Sequence, residues 1–254
     1  GAARRLTIYD PVVTSGEVDA TKQFNGIPWR VLYTMPLGGA PEMVGVGEFD
    51  TGMPGQEIVY TIGVPSQTVP GATLTQLVIL TQATLPAQGT AWRQLTSFTG
   101  DSRWSDMAAG DLDVTGIDDL ALIDEDGGLL AVYRLVNGAL DPFYEDQSDA
   151  RPWSGVAIGA VDPDTQQPEL VLVRRADRPL PSLVVLRWDG KQGKFVDVYL
   201  RDLNPAPRVV WLADITGSGD FEMYLLRNVR RTTTCPAPYN SAPFQLLMRN
   251  RGPD

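Results

Sequence analysis

Met107-Ala108-Ala109-Gly110-Asp111-Leu112-Asp113-Val114-Thr115-Gly116-Ile117-Asp118-Asp119-Leu120-Ala121-Leu122-Ile123 is a short apolar run, an Asp-rich turn and a second apolar run. Runs this short, bounded by Gly and Asp, read as two strands joined by a tight acidic turn. Three other segments share the layout. Val44-Gly45-Val46-Gly47-Glu48-Phe49-Asp50-Thr51-Gly52 leads on to Glu57-Ile58-Val59-Tyr60, and Val156-Ala157-Ile158-Gly159-Ala160-Val161-Asp162 leads on to Glu169-Leu170-Val171-Leu172-Val173. The fourth is Val210-Trp211-Leu212-Ala213-Asp214-Ile215-Thr216-Gly217-Ser218-Gly219, followed by Glu222-Met223-Tyr224-Leu225-Leu226. Self-similarity at a regular interval outranks any single element in deciding a fold. With Glu48, Asp111, Ala160 and Asp214 taken as equivalent, the intervals are 63, 49 and 54 residues, which suits one four-stranded unit each.

The flanks complete the units. Leu77 to Leu80 and Trp92 to Phe98 follow the first pair of strands, and Leu129 to Arg134 and a weaker segment near Phe143 follow the second. Leu183 to Trp188 and Phe195 to Leu200 follow the third, joined by Asp189-Gly190, a hairpin signal that Asn137-Gly138 repeats in the second unit. Only Phe244 to Met248 follows the fourth. Propellers close such a gap with a strand from the other terminus, which removes an open edge, and Leu6-Thr7-Ile8-Tyr9 is the candidate. Arg30 to Met35 reads as a further strand, so the first 42 residues hold part of another blade. The expectation is an all-β chain: a single domain over 1–254 forming one β-propeller of four or five blades, with motifs near 43–63, 106–134, 155–175 and 209–227. A β-sandwich with similar hairpins is the alternative.

Composition agrees and narrows the chemistry. The 254 residues are 43% apolar and 20% charged, enough to bury a core, and 25 Gly with 20 Pro favour short elements and turns over a helical bundle. There is no histidine, which excludes imidazole bases, Ser-His-Asp triads and His-ligated metals. Cys235 is the only cysteine, so an internal disulfide and a Cys-x-x-Cys pair are excluded. A net charge of −10 disfavours nucleic acid and anionic membrane surfaces. Ile58 to Trp92 carries no charge, yet it is broken by Gly, Pro, Thr and Gln, so membrane insertion is not expected. Gly45-x-Gly47 precedes an acidic turn and offers no phosphate cradle, and no Gly-x-Ser-x-Gly elbow or Arg-Gly-Asp tripeptide occurs.

Gly110-Asp111-Leu112-Asp113 with Gly116 and Asp119-Leu120, and more weakly Gly47-Glu48-Phe49-Asp50 with Glu57-Ile58, resemble the FG-GAP repeat family, the integrin-alpha-like blades also found in bacterial extracellular proteins as VCBS-type repeats. The resemblance spans residues 43 to about 250, in one good copy and three degraded ones. It implies a β-propeller, extracellular or on the cell surface after removal of any targeting segment, with calcium in the Asp-rich turns and a role in adhesion or recognition.

The spacing of the turns suits calcium, which takes six to eight oxygens at roughly 2.3–2.6 Å from alternate residues of a loop. In the second turn Asp111, Asp113 and Thr115 stand at positions one, three and five, Ile117 offers its carbonyl, Asp119 closes the loop and Gly116 permits the bend. A weaker site combines Asp214, Thr216, Ser218, Asp220 through its carbonyl, and Glu222. The first turn (Glu48, Asp50, Glu57) is interrupted by Pro54, and the third has Ala160 in place of its leading acid, leaving Asp162, Asp164 and Glu169, so neither is expected to hold an ion. The competing role for every such Asp is to accept backbone N–H groups of its own turn.

Two other constellations are candidate ligand sites. Trp104 and Trp153 each lie seven residues before the leading turn position, where a ring either stacks on a sugar or packs between blades. Trp188 and Trp211 sit in apolar runs and are expected in the core. Arg227, Arg230 and Arg231 precede the long connection through Cys235 and form a local positive cluster suited to an oxyanion. The functional expectation is a non-enzymatic recognition, adhesion or scaffolding module with a protein or glycan partner. The alternatives are a glycan-active propeller using paired carboxylates, and a spacer within a larger surface protein.

Overall fold

The computed structural model describes residues 4–11, 23–24, 27–52, 55–66, 68–71, 73–85, 89–100, 102–124, 128–147, 153–162, 165, 167–174, 181–203, 207–214, 221–227 and 244–248. These residues are all-β, without a helix, in five antiparallel sheets. An N-terminal sheet contains β1 (Arg5–Pro11), β2 (Gln23–Phe24) and β3 (Ile27–Pro36). Sheet one is β4 (Ala40–Gly47), β5 (Glu57–Pro65), β6 (Thr73–Leu85) and β7 (Gly89–Gly100), and sheet two is β8 (Asp106–Gly110), β9 (Asp119–Asp124), β10 (Leu129–Val136) and β11 (Ala139–Asp146). Sheet three is β12 (Trp153–Gly159), β13 (Glu169–Arg174), β14 (Leu183–Asp189) and β15 (Lys194–Arg201), and sheet four is β16 (Pro207–Ala213), β17 (Glu222–Arg227) and β18 (Phe244–Met248). Within sheets one to four each strand pairs with the next in sequence, so every sheet is a meander.

Hairpin chemistry sets these meanders. Asn137 and Gly138 both have positive φ, 51° and 80°, the conformation a two-residue turn between right-twisted strands requires. At the β14–β15 turn Asp189 accepts from the Lys191 N–H through its side chain and from the Gly193 N–H through its carbonyl.

In sheets one to three the second strand is apolar on both faces because a neighbouring sheet covers each face. In β9 Leu120 and Leu122 join a cluster with Phe49, Val59, Leu77 and Ile79 of sheet one, whereas Ala121 and Ile123 join one with Val156, Leu170 and Leu172 of sheet three. In β13 Val171 and Val173 turn the other way, onto Val210, Met223 and Leu225 of sheet four. Period-two side-chain alternation thus distributes one buried strand between two cores. The sheets stack in chain order, and their first strands approach one another, β4 against β8, β8 against β12 and β12 against β16.

Glycines ending these first strands permit the approach. A Cβ on Gly110 would fall on Ile158 Cγ2, well inside van der Waals contact, one on Gly47 would lie 3.0 Å from the Ala109 Cβ, and one on Gly159 would lie 3.0 Å from Leu212 Cδ1. Each glycine abuts the residue just before the corresponding position of the next sheet. Polar contacts accompany them: Glu48 and Asp118 exchange bonds (Glu48 N–H to Asp118 Oδ2, 2.8 Å; Asp118 N–H to the Glu48 carbonyl, 2.7 Å), and the Val156 N–H donates to Asp106 Oδ2 at 3.0 Å.

Two expectations are corrected. Leu6 to Tyr9 does not complete sheet four; β1 pairs with β3, Leu6 opposite Met35 and Ile8 opposite Tyr33. The reason is apolar complementarity close at hand, since Leu6, Ile8, Met35 and Leu37 pack onto Ile58, Tyr60, Ile62, Val78 and Leu80. Trp211 is not in the core: it is half exposed on β16. Among the described residues no strand of the N-terminal sheet pairs with a strand of sheet four.

Candidate functional site

The acidic turns join the first strand of each sheet to the second, and one position in them is used alike in three sheets. The first residue of the second strand is Glu57 in sheet one, Asp119 in sheet two and Glu169 in sheet three, and all three are fully buried. Glu57 accepts from the Phe49 N–H at 2.9 Å and the Asp50 N–H at 3.2 Å. Glu169 does the same for Val161 at 2.9 Å and Asp162 at 3.4 Å, and Asp119 accepts from the Leu112 N–H. A buried backbone donor leaving a strand end needs an acceptor, and this carboxylate supplies it. Glu222 occupies the corresponding place in sheet four, also buried, opposite Ala213.

What faces that carboxylate differs between sheets. Strand register sets residue opposite residue: Ile58 opposite Leu80, Leu120 opposite Tyr133 and Leu170 opposite Leu186. One position further along lie Thr81, Arg134 and Arg187. Thr81 donates its hydroxyl to Glu57 at 3.0 Å. Arg134 donates to Asp119 through Nε at 2.9 Å and Nη2 at 3.1 Å, and Nη2 also lies 2.8 Å from Asp113 Oδ2. Arg187 holds Glu169 through Nε at 3.0 Å and Nη2 at 2.6 Å, and Asp162 through Nη2 at 2.5 Å. In sheets two and three one guanidinium therefore grips two acids of the turn. Phe143 on β11 supports Arg134 from the side, its ring centroid 4.2 Å from the guanidinium carbon. Burial still pushes the Asp119 carboxyl up to about 6 against the pull of Arg134, which marks how costly this charge is without its cation.

The remaining turn residues look inward. Asp111 accepts from the Thr115 N–H at 2.8 Å and the Gly116 N–H at 2.6 Å, an Asp-stabilised turn. Gly116 takes a φ of 84° there, and Val114 a φ of 60°, unusual for a β-branched residue. Asp113 Oδ1 is buried without a hydrogen-bond partner. Among the described residues no group of three acids is arranged to hold a metal ion. Asp111 caps its own loop, while Asp113 and Asp119 converge on Arg134. Thr115 serves the same cap, its hydroxyl 3.4 Å from Asp111 Oδ1, and Ile117 is half-buried in the turn. Thr216, Ser218 and Asp220 of the fourth turn lie outside the described residues, between an exposed Asp214 and the buried Glu222.

At the join of sheets one and two, Glu48 sits among Glu57, Asp118 and Asp50, and burial together with these like charges raises its carboxyl above the usual range. Asp118 is raised as well, by burial and by Asp111, against the Glu48 N–H it accepts.

Trp104 and Trp153 are packing residues. Trp104 is 4% exposed, set edge-on to the Tyr133 ring at 6.3 Å between sheets one and two. Trp153 is 6% exposed, with the Arg174 guanidinium over its ring at 4.0 Å. Neither offers a free face to a sugar, the correction to the ligand-stacking expectation. Trp188 is half-buried, its ring tilted against Phe143 at 4.3 Å and edge-on to Phe195 at 5.2 Å, where it joins the outer strands of sheets two and three. Arg227 ends β17, while Arg230 and Arg231 lie outside the described residues.

Sequence reasoning missed Arg134 and Arg187. The available signal was a single cation ending each of the apolar runs Leu130-Ala131-Val132-Tyr133 and Leu183-Val184-Val185-Leu186, because a charge in a buried strand requires a partner. No protein-family model matches this chain, and no curated protein matches its sequence.

Proposed function

We propose that the chain is a propeller-like module related to FG-GAP repeats, acting outside the cytoplasm as a non-enzymatic recognition or scaffolding element with a protein partner. The observation that carries this reading is the succession of meanders whose first strands approach through Gly47, Gly110 and Gly159, a geometry that repeats between each pair of sheets and suits radial blades. The extracellular setting is carried by the sequence resemblance. A protein partner is favoured over a glycan because Trp104 and Trp153 are packed away while Val44, Val46 and Trp211 on first strands are 64%, 57% and 50% exposed. The paired acids of the second and third turns are committed to Arg134 and Arg187, which counts against their use as a glycosidase pair. Calcium is not required by this reading.

The test pairs wild type with a Val44→Asp/Val46→Asp variant, both immobilised, and measures retention of secreted proteins and of polysaccharides alongside release of reducing sugar. Saturable retention of one polypeptide by the wild type, lost in the equally stable variant, is the expected result. Polysaccharide hydrolysis that disappears on neutralising a pair of carboxylates would transfer the protein to the enzymatic class. Spin labels at positions 46 and 211, in a Cys235→Ser background, address the ring: blades around a channel place them within about 20 Å, whereas a linear stack of four sheets spaced ~10 Å apart places them about 30 Å apart.

A further inference from the structure

We infer that Arg134 and Arg187 are built-in counter-cations that stand where the acidic turns of sheets two and three would otherwise need a divalent metal, so that these turns are locked without one. Three observations converge. In each turn the acid two residues into the loop (Asp113, Asp162) and the acid closing it (Asp119, Glu169) are on a single guanidinium. These are the positions whose carboxylates would have to meet on an ion if the loop bound calcium. The arginine comes from the same register position of the third strand in both sheets, and in sheet one, where Thr81 stands there, Glu57 is satisfied by two N–H groups and a hydroxyl.

The physical logic is charge balance. Two carboxylates brought together at a turn, one of them fully buried, repel each other and lose hydration unless a cation is placed between them. A metal supplies that cation only when it is bound, whereas a strand-borne guanidinium supplies it permanently, with planar donors that reach two acids at once. Its support from Phe143 and the twofold grip on Asp119 fix it in place. This inference concerns what holds the turns and is independent of the partner proposed above.

The experiment compares wild type, Arg134→Gln, Arg134→Lys and Asp113→Asn by thermal unfolding in chelator, in millimolar calcium and in millimolar magnesium. Wild type is expected to melt at one temperature in all three. Arg134→Gln is expected to melt roughly 5–15 °C lower in chelator, with part of the loss restored by calcium, because the freed Asp113 and Asp119 then accept an external cation. Arg134→Lys, which keeps the charge but not the fork, should fall between the two and ignore calcium; it also keeps the test informative if Arg134→Gln does not fold. A calcium-dependent rise in wild type that Asp113→Asn abolishes overturns the inference, as does an Arg134→Gln protein that melts like wild type or is destabilised without any response to calcium.

Discussion

Replacing Glu169 by Ala is expected to cost roughly 3–5 kcal/mol, the range for breaking a buried ion pair from one side. For a chain of this size that corresponds to a fall in melting temperature on the order of 10 °C. The side chain is fully buried, accepts from the Val161 and Asp162 N–H groups and receives Arg187 through two nitrogens. Alanine therefore leaves two backbone donors unpaired and a largely buried guanidinium with only Asp162 to balance it. Glu169→Gln keeps an acceptor for the backbone and should recover part of the loss, though not the charge. Glu57→Gln is the internal control: its acid meets N–H groups and the Thr81 hydroxyl rather than an arginine, so neutralising it strands no cation and should cost clearly less. Equal losses in the two glutamine variants, measured by urea unfolding, would show that the guanidinium contributes nothing specific at sheet three.

Trp104→Ala is expected to destabilise by a similar amount, about 3–5 kcal/mol, for a different reason. The indole fills the junction of sheets one and two, against a cluster containing Val59, Leu77, Ile79, Leu122 and Tyr133. Removing it opens a cavity between two sheets that both continue into further cores, so the void cannot close by moving one loop. Trp104→Phe should restore much of the packing and the edge-on contact with Tyr133. A sugar platform behaves in the opposite way, losing retention on polysaccharide with an unchanged melting temperature. That result would return Trp104 to the list of ligand contacts.

The sequence made the strands legible because their information is local. Glycine, aspartate and the alternation of apolar residues mark Asn137-Gly138, Asp189-Gly190 and the run Leu120 to Ile123 without reference to the rest of the chain. It also pointed to Asp113, Asp119 and Glu169 as special, since acids recur there at matching places. What these acids face was hidden, because it depends on register across strands: Arg134 is 15 residues from Asp119 and Arg187 is 18 from Glu169, and only the pairing of β9 with β10 and β13 with β14 brings them opposite. The destination of β1 was hidden for the same reason. Leu6 and Ile8 suit any apolar neighbour, and the chain offered β3 before it offered the last sheet. Trp211 shows the converse error, a large ring in an apolar run that nonetheless faces outward because no further sheet among the described residues covers that side.

The chain-order stacking has a mechanical consequence. Among the described residues the buried clusters each join a sheet to the one encoded just before or after it, so cohesion resides in a series of junctions. Drawn out by its two ends, such a molecule is expected to yield one sheet at a time, each step freeing roughly 50 residues and therefore about 170 Å of chain. Single-molecule pulling should record a ladder of small releases of about that length. One sharp rupture followed by complete extension would instead mean that the outermost sheets are fastened to each other and that the load is shared around a closed circle.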